Sequence, residues 1–343
     1  MTHTKTVILY IGNMMAVHGK TPTTIETLAP RLAMDFEMIT VSDKAHKIFR
    51  LLDMWLALIK NRKSLKFVLI DTYSTSAYFY AKTCGFLCRK LNLAYIPFLH
   101  GGGLPTKFVS DLSASKKYLQ GASVIVSPSG YLQNAVAKQF ALQATVIPNF
   151  IDIQIYPFLK RSALNPLRIF WLRSLHKTYQ PHLAVEVLRH LADLGMDAQL
   201  TMVGPEKDDS AASCKQLAKD LDLQDKITFT GRLDKAAWIA LSATHNLFLN
   251  TSAVDNTPVS IMEAMALGMP VVTTKVGGIP YLFEDGKEGI MLEEQEAKVM
   301  ATAILDLVNS PQKVENLSLA ARRKAESWNW DVIRQLWINV LNG

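Results

Sequence analysis

The chain has 343 residues, of which 49% are hydrophobic and 20% charged, and its formal net charge at pH 7 is +7. This composition excludes a disordered chain and is typical of a globular protein long enough for two domains. No apolar run is long enough for a transmembrane helix or a secretory signal, and the three cysteines are too few for a disulfide framework. We therefore expect a cytoplasmic protein.

The positive charge is concentrated in the first half of the chain. Residues 1–160 contain 18 Lys and Arg against 8 Asp and Glu, whereas residues 161–343 contain 19 against 22. Such asymmetry indicates that the first half meets an anionic partner. The basic residues are not interleaved with aromatic residues as in a strand-binding groove, so we do not expect nucleic acid as that partner.

Short β-branched runs alternate with longer amphipathic segments, a pattern typical of βα units on parallel sheets. In the first half, the predicted strands are Thr6–Ile11, Phe36–Val41, Phe67–Asp71, Ala94–Phe98, Ser123–Ser127 and Thr145–Pro148. The predicted helices between them cover residues 24–34, 43–60, 74–91 and 129–140. Thr23 and Glu26 have the spacing of a capping box at the start of the first helix.

The loop after the first strand contains Gly19, Lys20 and Thr21, the ending of a phosphate-binding P-loop. That motif needs a glycine at position 14, which is Met14 here, and Pro22 removes a backbone donor. The loop therefore does not fit a nucleotide hydrolase. A strand, a loop and a helix N-terminus still form a good anion site, at which Lys20 would be dispensable.

An apolar and basic segment, HKIFRLLDMWLALIKNRKSLK, occupies residues 46–66. Its apolar residues include Phe49, Leu52, Trp55, Leu56 and Ile59, and its basic residues are Lys47, Arg50, Lys60, Arg62, Lys63 and Lys66. An interfacial helix on anionic lipid has this pattern, and so does a core helix followed by a basic turn. The sequence leaves both interpretations open.

A break at residues 147–166, with three prolines and no clear period, separates the two halves. After it, the predicted strands are Arg168–Leu172, Ala198–Val203, Lys226–Phe229, Leu247–Leu249, Pro270–Thr274 and Gly289–Leu292. The predicted helices of this half cover residues 181–194, 210–221, 234–243 and 258–267.

These patterns predict an α/β protein with two doubly wound, Rossmann-like domains facing across a cleft. We predict an N-terminal domain over residues 1–160 and a second domain over residues 161–327. A terminal helix in residues 328–343 would pack back on the first domain. Ligands of such sheets bind beyond the carboxyl ends of the strands, so the cleft is the expected site.

Residues 250–282, NTSAVDNTPVSIMEAMALGMPVVTTKVGGIPYL, carry the most chemical information. Pro258 suits the first position of a helix that Asn256 or Thr257 caps, and Gly268 suits its end. The free N–H groups at this helix N-terminus would bind a phosphate. The following Gly-Gly loop would bring bare backbone close to a ligand.

Asp255 and Glu263 lie eight positions apart in this stretch, on either side of the expected phosphate site. This spacing, with MEAMALGMPVV and VGGIP, resembles the EX7E region of the family 4, GT-B fold, retaining glycosyltransferases. The resemblance implies that Asp255 contacts the transferred sugar and that Glu263 contacts the nucleotide ribose. The family has Glu at the first position, so Asp255 leaves the identity of the donor sugar open.

Other segments resemble the same family. In IFWLRSLHKTYQP, Arg173 and Lys177 fall where the family holds the diphosphate and neutralises its charge as it leaves. The remaining residues that the resemblance assigns to the donor are Gly19 beside the diphosphate, Gly204 in LTMVGPE, Arg232 in FTGRL near the base, and Asn256, Thr257, Pro258 and Val259 at the helix N-terminus. His100 in PFLHGGGLP resembles the family histidine near the reacting sugar.

Each of these residues also has a purely structural interpretation. Asp255 would then be a helix cap, Glu263 a carboxylate at the edge of the core, and His100 a buried, hydrogen-bonded histidine. Arg173 and Lys177 would be solvated surface charges.

The resemblance implies an enzyme that transfers a sugar, with retention, from a nucleotide diphosphate sugar such as a UDP-sugar to a glycan or lipid-linked acceptor, as in envelope polysaccharide synthesis. It implies no cofactor and no metal, since two fixed cations suit the diphosphate. The basic first half predicts peripheral binding to an anionic membrane from its cytoplasmic side. The alternatives are a non-catalytic carbohydrate-binding protein and a sugar-nucleotide epimerase of the same fold.

Overall fold

The structure, a computed structural model, describes residues 5–19 and 22–343. The chain forms two compact units. The first contains the described residues up to Pro148 together with Ile333–Gly343, and the second contains Asn149–Val332. Residues 149–160 therefore group with the second unit. Lys20 and Thr21 lie outside the described residues, so the prediction that Lys20 is dispensable stays a prediction.

The first unit contains a six-stranded sheet in which every neighbouring pair of strands is parallel. Its strands are β1 (Val7–Ile11), β2 (Glu37–Val41), β3 (Phe67–Tyr73), β4 (Tyr95–His100), β5 (Val126–Ser127) and β6 (Thr145–Val146). Their order across the sheet is β2-β1-β3-β4-β5-β6. The strand order therefore reverses direction between β1 and β3.

The second unit contains another parallel six-stranded sheet. Its strands are β7 (Leu167–Leu172), β8 (Ala198–Val203), β9 (Ile227–Gly231), β10 (Leu247–Asn250), β11 (Val271–Thr274) and β12 (Ile290–Leu292). Their order is β12-β11-β10-β7-β8-β9, so this sheet reverses between β7 and β10. Both sheets are doubly wound, as the sequence predicts.

Helices connect the strands. The first unit contains α1 (Thr24–Leu32), α2 (Lys47–Asn61), α3 (Ala77–Lys90), α4 (Leu104–Ser110), α5 (Leu112–Gln120) and α6 (Gly130–Phe140). The later helices are α7 (Pro181–Asp193), α8 (Ser210–Asp220), α9 (Lys235–Ser242), α10 (Val259–Ala266), α11 (Ala297–Val308), α12 (Pro311–Glu326) and α13 (Trp330–Asn342). Across residues 5–19 and 22–343, no helix is both long and apolar enough to cross a bilayer.

All twelve predicted strands are present, because buried β-branched runs are a strong signal. The eight predicted connecting helices are present as well, and the capping box of α1 is confirmed, since the Glu26 carboxylate accepts from the Thr23 N–H at 2.8 Å. Four helices carry no prediction: α4, α5, α11 and α12. The first of these has only 7 residues and follows three glycines, so its sequence resembles a loop.

The end of α13 belongs to the first unit. Trp337 is 1% exposed, and its ring meets the Phe98 ring edge-on at 5.0 Å between centroids. Arg334 Nε donates to Asp35 Oδ2 at 2.8 Å, and this hydrogen bond holds the pKa of the Asp35 carboxyl below its usual value. The part of α13 from Ile333 onward therefore packs as part of that unit.

Candidate active site

The residues predicted to bind the donor in the second unit gather at one edge of its sheet. Arg173 follows β7, Gly204 follows β8, Arg232 follows β9, and the Asp255 loop follows β10. These are the carboxyl ends of the parallel strands, and β7 and β10 flank the point where the strand order reverses. In doubly wound sheets this position is the ligand crevice.

At the reversal point, Arg173 and Asp255 form an ion pair in which Arg173 Nη2 meets Asp255 Oδ2. Their side chains are only 16% and 13% exposed. The Arg173 guanidinium carbon also lies 4.2 Å from the centre of the Tyr179 ring. Burial lowers the pKa of Arg173, and its interactions with Tyr179 and Glu263 oppose that shift. Arg173 and Asp255, predicted to act on the diphosphate and on the sugar, are therefore in direct contact.

Four buried polar atoms at this edge have no hydrogen-bond partner within the described part of the chain: two that can donate, Arg173 Nε and the Ser260 hydroxyl, and two oxygens, Asp255 Oδ2 and Gln180 Oε1. Of these, Asp255 Oδ2 faces Arg173 in the ion pair. Ser260 is the second residue of α10, which follows β10. Buried polar groups are nearly always satisfied, because leaving one unpaired costs about 1–3 kcal/mol. Arg173 Nε and the Ser260 hydroxyl can both donate to the oxygens of a phosphate.

Gly204 lets the loop after β8 pack directly against the backbone of Arg173. A Cβ atom at Gly204 would lie 1.8 Å from the Arg173 carbonyl oxygen, and the φ angle of Gly204 is +153°. The Arg173 N–H in turn donates to the Val203 carbonyl at 3.1 Å. The absence of a side chain at position 204 is therefore needed to hold the Arg173 backbone in place.

The Gly-Gly loop after β11 likewise packs directly against backbone, here that of the Asp255 loop. A Cβ atom would lie 2.0 Å from the Asp255 carbonyl oxygen at Gly277 and 1.8 Å from the Asn256 carbonyl oxygen at Gly278. The Gly278 N–H also donates to the Asp255 carbonyl at 3.0 Å. These glycines thus pack against the Asp255 loop itself, a contact that the sequence prediction of ligand approach did not include.

The start of α10 differs by one residue from the prediction. Pro258 is the N-cap with extended backbone, and the helix begins at Val259, because ψ of Pro258 is 108°. Asn256 and Thr257 precede the cap and are buried. The Asn256 N–H donates to Asp255 Oδ1 at 2.9 Å, so Asp255 orders the turn that leads into the helix. Gly268, with φ of +75°, ends the helix region as predicted.

Glu263 lies on α10 and is 7% exposed. Its Oε1 accepts a hydrogen bond from the Tyr156 hydroxyl at 2.8 Å and forms an ion pair with Lys235 Nζ at 2.9 Å. Lys235 Nζ also donates to the Tyr156 hydroxyl at 2.8 Å. Burial and the Glu263 carboxylate raise the pKa of Tyr156 far above its usual value, so Tyr156 acts as a neutral donor. These contacts fix the carboxylate in one orientation.

Lys177 and Arg232 are exposed at the same edge. Lys177 begins the short 3₁₀ turn Lys177–Tyr179, and its backbone N–H donates to Asp208 Oδ2 at 3.0 Å. This hydrogen bond fixes the backbone position from which the exposed Lys177 side chain extends. Val259 is 37% exposed at the first position of α10.

In the first unit, His100 is the last residue of β4 and is 6% exposed. Its Nε2 lies 2.9 Å from Asp71 Oδ1, and the Tyr10 hydroxyl donates to the same oxygen at 2.8 Å. The imidazole stacks on the Tyr73 ring at 4.6 Å and meets the Phe98 ring edge-on at 4.1 Å. His100 therefore has a single, well-supported orientation.

Asp71 is also buried, and its second oxygen has no hydrogen-bond partner among residues 5–19 and 22–343. A Cβ atom at Gly12 would lie 2.7 Å from that oxygen. Gly12 and Asp71 line a cavity of about 10 Å³, room for roughly one water molecule. Gly19 ends the 3₁₀ turn Ala16–His18 with φ of +71°.

The described ranges, 5–19 and 22–343, contain no group of three or more His, Cys, Asp or Glu side chains that could hold a metal ion. The three cysteines are free and buried. Burial raises the pKa of the Cys88 and Cys214 thiols to about 12, so neither is a reactive thiolate at neutral pH.

Four residues at these two sites escape sequence reasoning: Tyr179, Tyr156, Lys235 and Asp71. Tyr156 lies in the aperiodic break between the two halves, and Lys235 is one ordinary lysine of an exposed helix start. Asp71 is the last residue of the predicted strand Phe67–Asp71. This position could have identified it as a candidate site residue, because ligand-binding groups lie at strand ends in such sheets.

Comparison with known proteins identifies the class. A family model described as glycosyl transferases group 1 matches residues 153–324, half of the chain and all of the second-unit residues discussed above. The chain belongs to this family.

Two curated relatives match at similar identity. Over 174 residues the chain is 32% identical to the amylovoran biosynthesis glycosyltransferase AmsK of Erwinia amylovora, covering 49% of this chain and 42% of that protein. Over 267 residues it is 32% identical to N-acetyl-alpha-D-glucosaminyl L-malate synthase of Bacillus anthracis, covering 70% of this chain and 65% of that protein. The chain thus spans less than two thirds of the length of these relatives.

Solved structures share the fold along the whole chain. The Anabaena protein Alr3699/HepE, in complex with UDP, superposes with a TM-score of 0.77 at 18% identity, covering 98% of this chain and 99% of that one. Sucrose-phosphate synthase from Thermosynechococcus elongatus gives a TM-score of 0.77 at 16% identity, covering 98% and 100%. The protein therefore has the two-domain α/β GT-B fold, as the sequence predicts.

The close approach of Gly204 to Arg173 gives a testable prediction. Gly204→Ala should lower the free energy of unfolding by about 3 kcal/mol, because the new methyl group meets a backbone oxygen that cannot move freely. Gly195→Ala is the matched control: φ there is +78°, and no described atom lies within 4 Å of its Cβ position, so about 1 kcal/mol of backbone strain is expected. Equal effects in urea unfolding would contradict the packing role of Gly204.

Proposed function

We propose that this chain is a retaining, family 4 glycosyltransferase that moves a sugar from a UDP-sugar to a glycan or lipid-linked acceptor. The observation that carries the proposal is the Arg173–Asp255 pair at the reversal point of the second sheet, with unsatisfied donors beside it. The UDP complex of the Anabaena relative supports the choice of nucleotide. The amylovoran relative, by its name, supports an acceptor in polysaccharide synthesis.

The diphosphate would bind at the carboxyl edge of the second sheet. Arg173 Nε and the Ser260 hydroxyl would donate to its oxygens, and the exposed Lys177 would reach it from the adjacent turn. Fixed positive charge is most effective where negative charge develops, and here that charge grows on the departing phosphate oxygen. The bare backbone of Gly204 would lie beside the same group.

The sugar and the nucleoside would extend to opposite sides of the diphosphate. We assign Asp255 to the transferred sugar and Glu263 to the ribose hydroxyls, with Arg232 near the base. Asn256, Thr257, Pro258 and Val259 would present the N-terminus of α10 to the phosphate. Lys235 and Tyr156 fix the orientation of the Glu263 carboxylate, which supports this assignment.

In the transfer step, the bond between the anomeric carbon and the phosphate oxygen breaks, and the acceptor oxygen bonds to that carbon on the same face. The acceptor proton passes to the departing diphosphate. Because Arg173 and Lys177 supply the positive charge that a metal ion would otherwise supply, we propose that the reaction needs neither a metal nor a cofactor.

His100 would contact the transferred sugar or the backbone around it. Asp71 holds the Nε2 side of the imidazole, so the Nδ1 side would face the ligand. Asp71 is then a positioning residue, because it acts through His100.

We infer that the acceptor is presented at the cytoplasmic side of an anionic membrane. The excess of basic residues in residues 1–160 supports an anionic partner for the first unit. The three free, buried cysteines suit a reducing compartment.

The activity is tested by incubating the chain with a panel of UDP- and GDP-sugars and an acceptor extract containing chelator. We expect release of UDP from one donor and an acceptor product with the anomeric configuration of that donor. An inverted product would contradict retention, and activity that chelator abolishes would contradict metal independence. If no donor is consumed although nucleotide sugars bind, the chain is the carbohydrate-binding alternative; if the sugar is altered without transfer, it is the epimerase.

The positioning role of Asp71 gives a separate prediction. Asp71→Asn should lower kcat by at least tenfold, with KM for the donor nearly unchanged, because the imidazole loses the carboxyl group that orients it. The pH dependence of kcat should also change, which a purely structural defect would not cause. Asp43→Asn, an exposed carboxylate of the same unit, is the control and should leave kcat unchanged. An unaltered pH profile in Asp71→Asn would contradict this role.

A further inference from the structure

Helix α2 has two apolar faces, and only one of them is used by the fold. The face formed by Arg50, Met54 and Leu58 is buried in the first unit. The other face carries large apolar side chains with these exposed fractions: Ile48 62%, Phe49 63%, Leu52 46%, Leu56 64% and Ile59 46%.

The exposed apolar side chains form one stripe. At 3.6 residues per turn, the five positions fall within an arc of roughly 100° around the helix axis, opposite the arc of the buried residues. The core-helix interpretation of residues 46–66 is therefore confirmed for one face of α2, and the lipid interpretation stays a prediction for the other face. One face of α2 is a core face, and the other is an unpartnered apolar surface.

Basic residues surround this stripe. Lys47 lies at its N-terminal end, and Lys60, Arg62 and Lys63 lie at its C-terminal end, all of them exposed. Asp53 is the only acidic residue of α2. The surface thus combines an apolar centre with a positive rim at both ends.

The neighbouring helix, α3, also has exposed aromatic and basic side chains. Right-handed crossovers from β2 to β3 and from β3 to β4 place α2 and α3 on one face of the first sheet, and the two helices are in contact. On α3, Phe79 and Phe86 are 56% and 52% exposed. The Lys90 ammonium lies 5.8 Å from the centre of the Phe86 ring.

The charge of the rim distinguishes between possible occupants. Lysine is depleted from protein–protein interfaces, whereas an anionic bilayer attracts lysine and arginine and takes up aromatic and aliphatic side chains at the depth of its headgroups. Contiguous apolar surfaces of this kind are rare on proteins that stay free in solution. Charge complementarity therefore favours a lipid surface.

We propose that α2 is a membrane-docking helix that lies in the plane of an anionic bilayer. Leu52 and Leu56 at the centre of the stripe enter the headgroup region, and Lys60, Arg62 and Lys63 bind lipid phosphates. The docking needs neither donor nor acceptor, so it is tested separately from the proposed transferase activity.

The test measures co-sedimentation of the intact chain with phosphatidylcholine vesicles that contain or lack phosphatidylglycerol. We expect binding to the anionic vesicles that weakens as salt is raised. Leu52→Gln with Leu56→Gln should reduce this binding at least tenfold, because two apolar side chains leave the bilayer. The matched control is Leu194→Gln with Val332→Gln, two side chains of the second unit that are 50% and 51% exposed; it should bind like the unaltered chain.

The rim is tested by Lys60→Gln, Arg62→Gln and Lys63→Gln, each of which should weaken binding about fivefold. As a second readout, Leu56→Cys can be labelled with an environment-sensitive dye, since the native cysteines are buried. Its emission should shift to the blue on anionic vesicles, and that of a label at Leu194→Cys should not.

Three results would overturn the proposal: no binding to anionic vesicles, equal binding to neutral ones, or equal loss in the control pair. Concentration-dependent dimerisation that the Leu52→Gln and Leu56→Gln pair abolishes, without vesicle binding, would assign the stripe to a second copy of the chain instead.

Discussion

A nearly buried pair of opposite charges, Arg173 and Asp255, sits where the second sheet reverses its strand order. Removing two charges from water costs several kcal/mol each, and the attraction between them offsets this cost only in good geometry. The fold provides that geometry through backbone contacts. Gly204 lets the loop after β8 approach Arg173, and Gly277 and Gly278 let the loop after β11 approach the Asp255 loop, at distances that a Cβ atom would forbid. The candidate donor site depends on these contacts.

The first unit uses the same principle at the end of its β4 strand. Asp71 Oδ1, on β3, is hydrogen-bonded to His100 Nε2 and accepts a hydrogen bond from the Tyr10 hydroxyl. The Tyr73 and Phe98 rings pack against the imidazole. In both units, a carboxylate at the carboxyl edge orients a basic side chain. The parallel sheets determine which residues reach that edge, and the loops determine how their side chains point.

The sequence predicts the architecture well, because buried strands and the Asp255–Glu263 spacing are local patterns. It does not predict contacts between residues that are distant in the chain. Asp71 and His100 are 29 positions apart, and the ion pair between Lys235 and Glu263 also joins separate segments. Helix α2 illustrates a third case: its apolar residues are evident, but only the structure shows which of them the core leaves exposed.

Calorimetric titration of the intact chain with UDP measures whether the Arg173 site of the second unit binds a nucleoside diphosphate. Arg173→Gln should weaken UDP binding at least tenfold, since a charge-assisted contact to phosphate is lost. Arg168→Gln, at the amino end of the same strand, removes an equal charge from the opposite edge of the sheet and should leave the Kd unchanged. Equal affinities for all three proteins, or the absence of UDP binding to the unaltered chain, would show that the Arg173 site does not bind a nucleoside diphosphate.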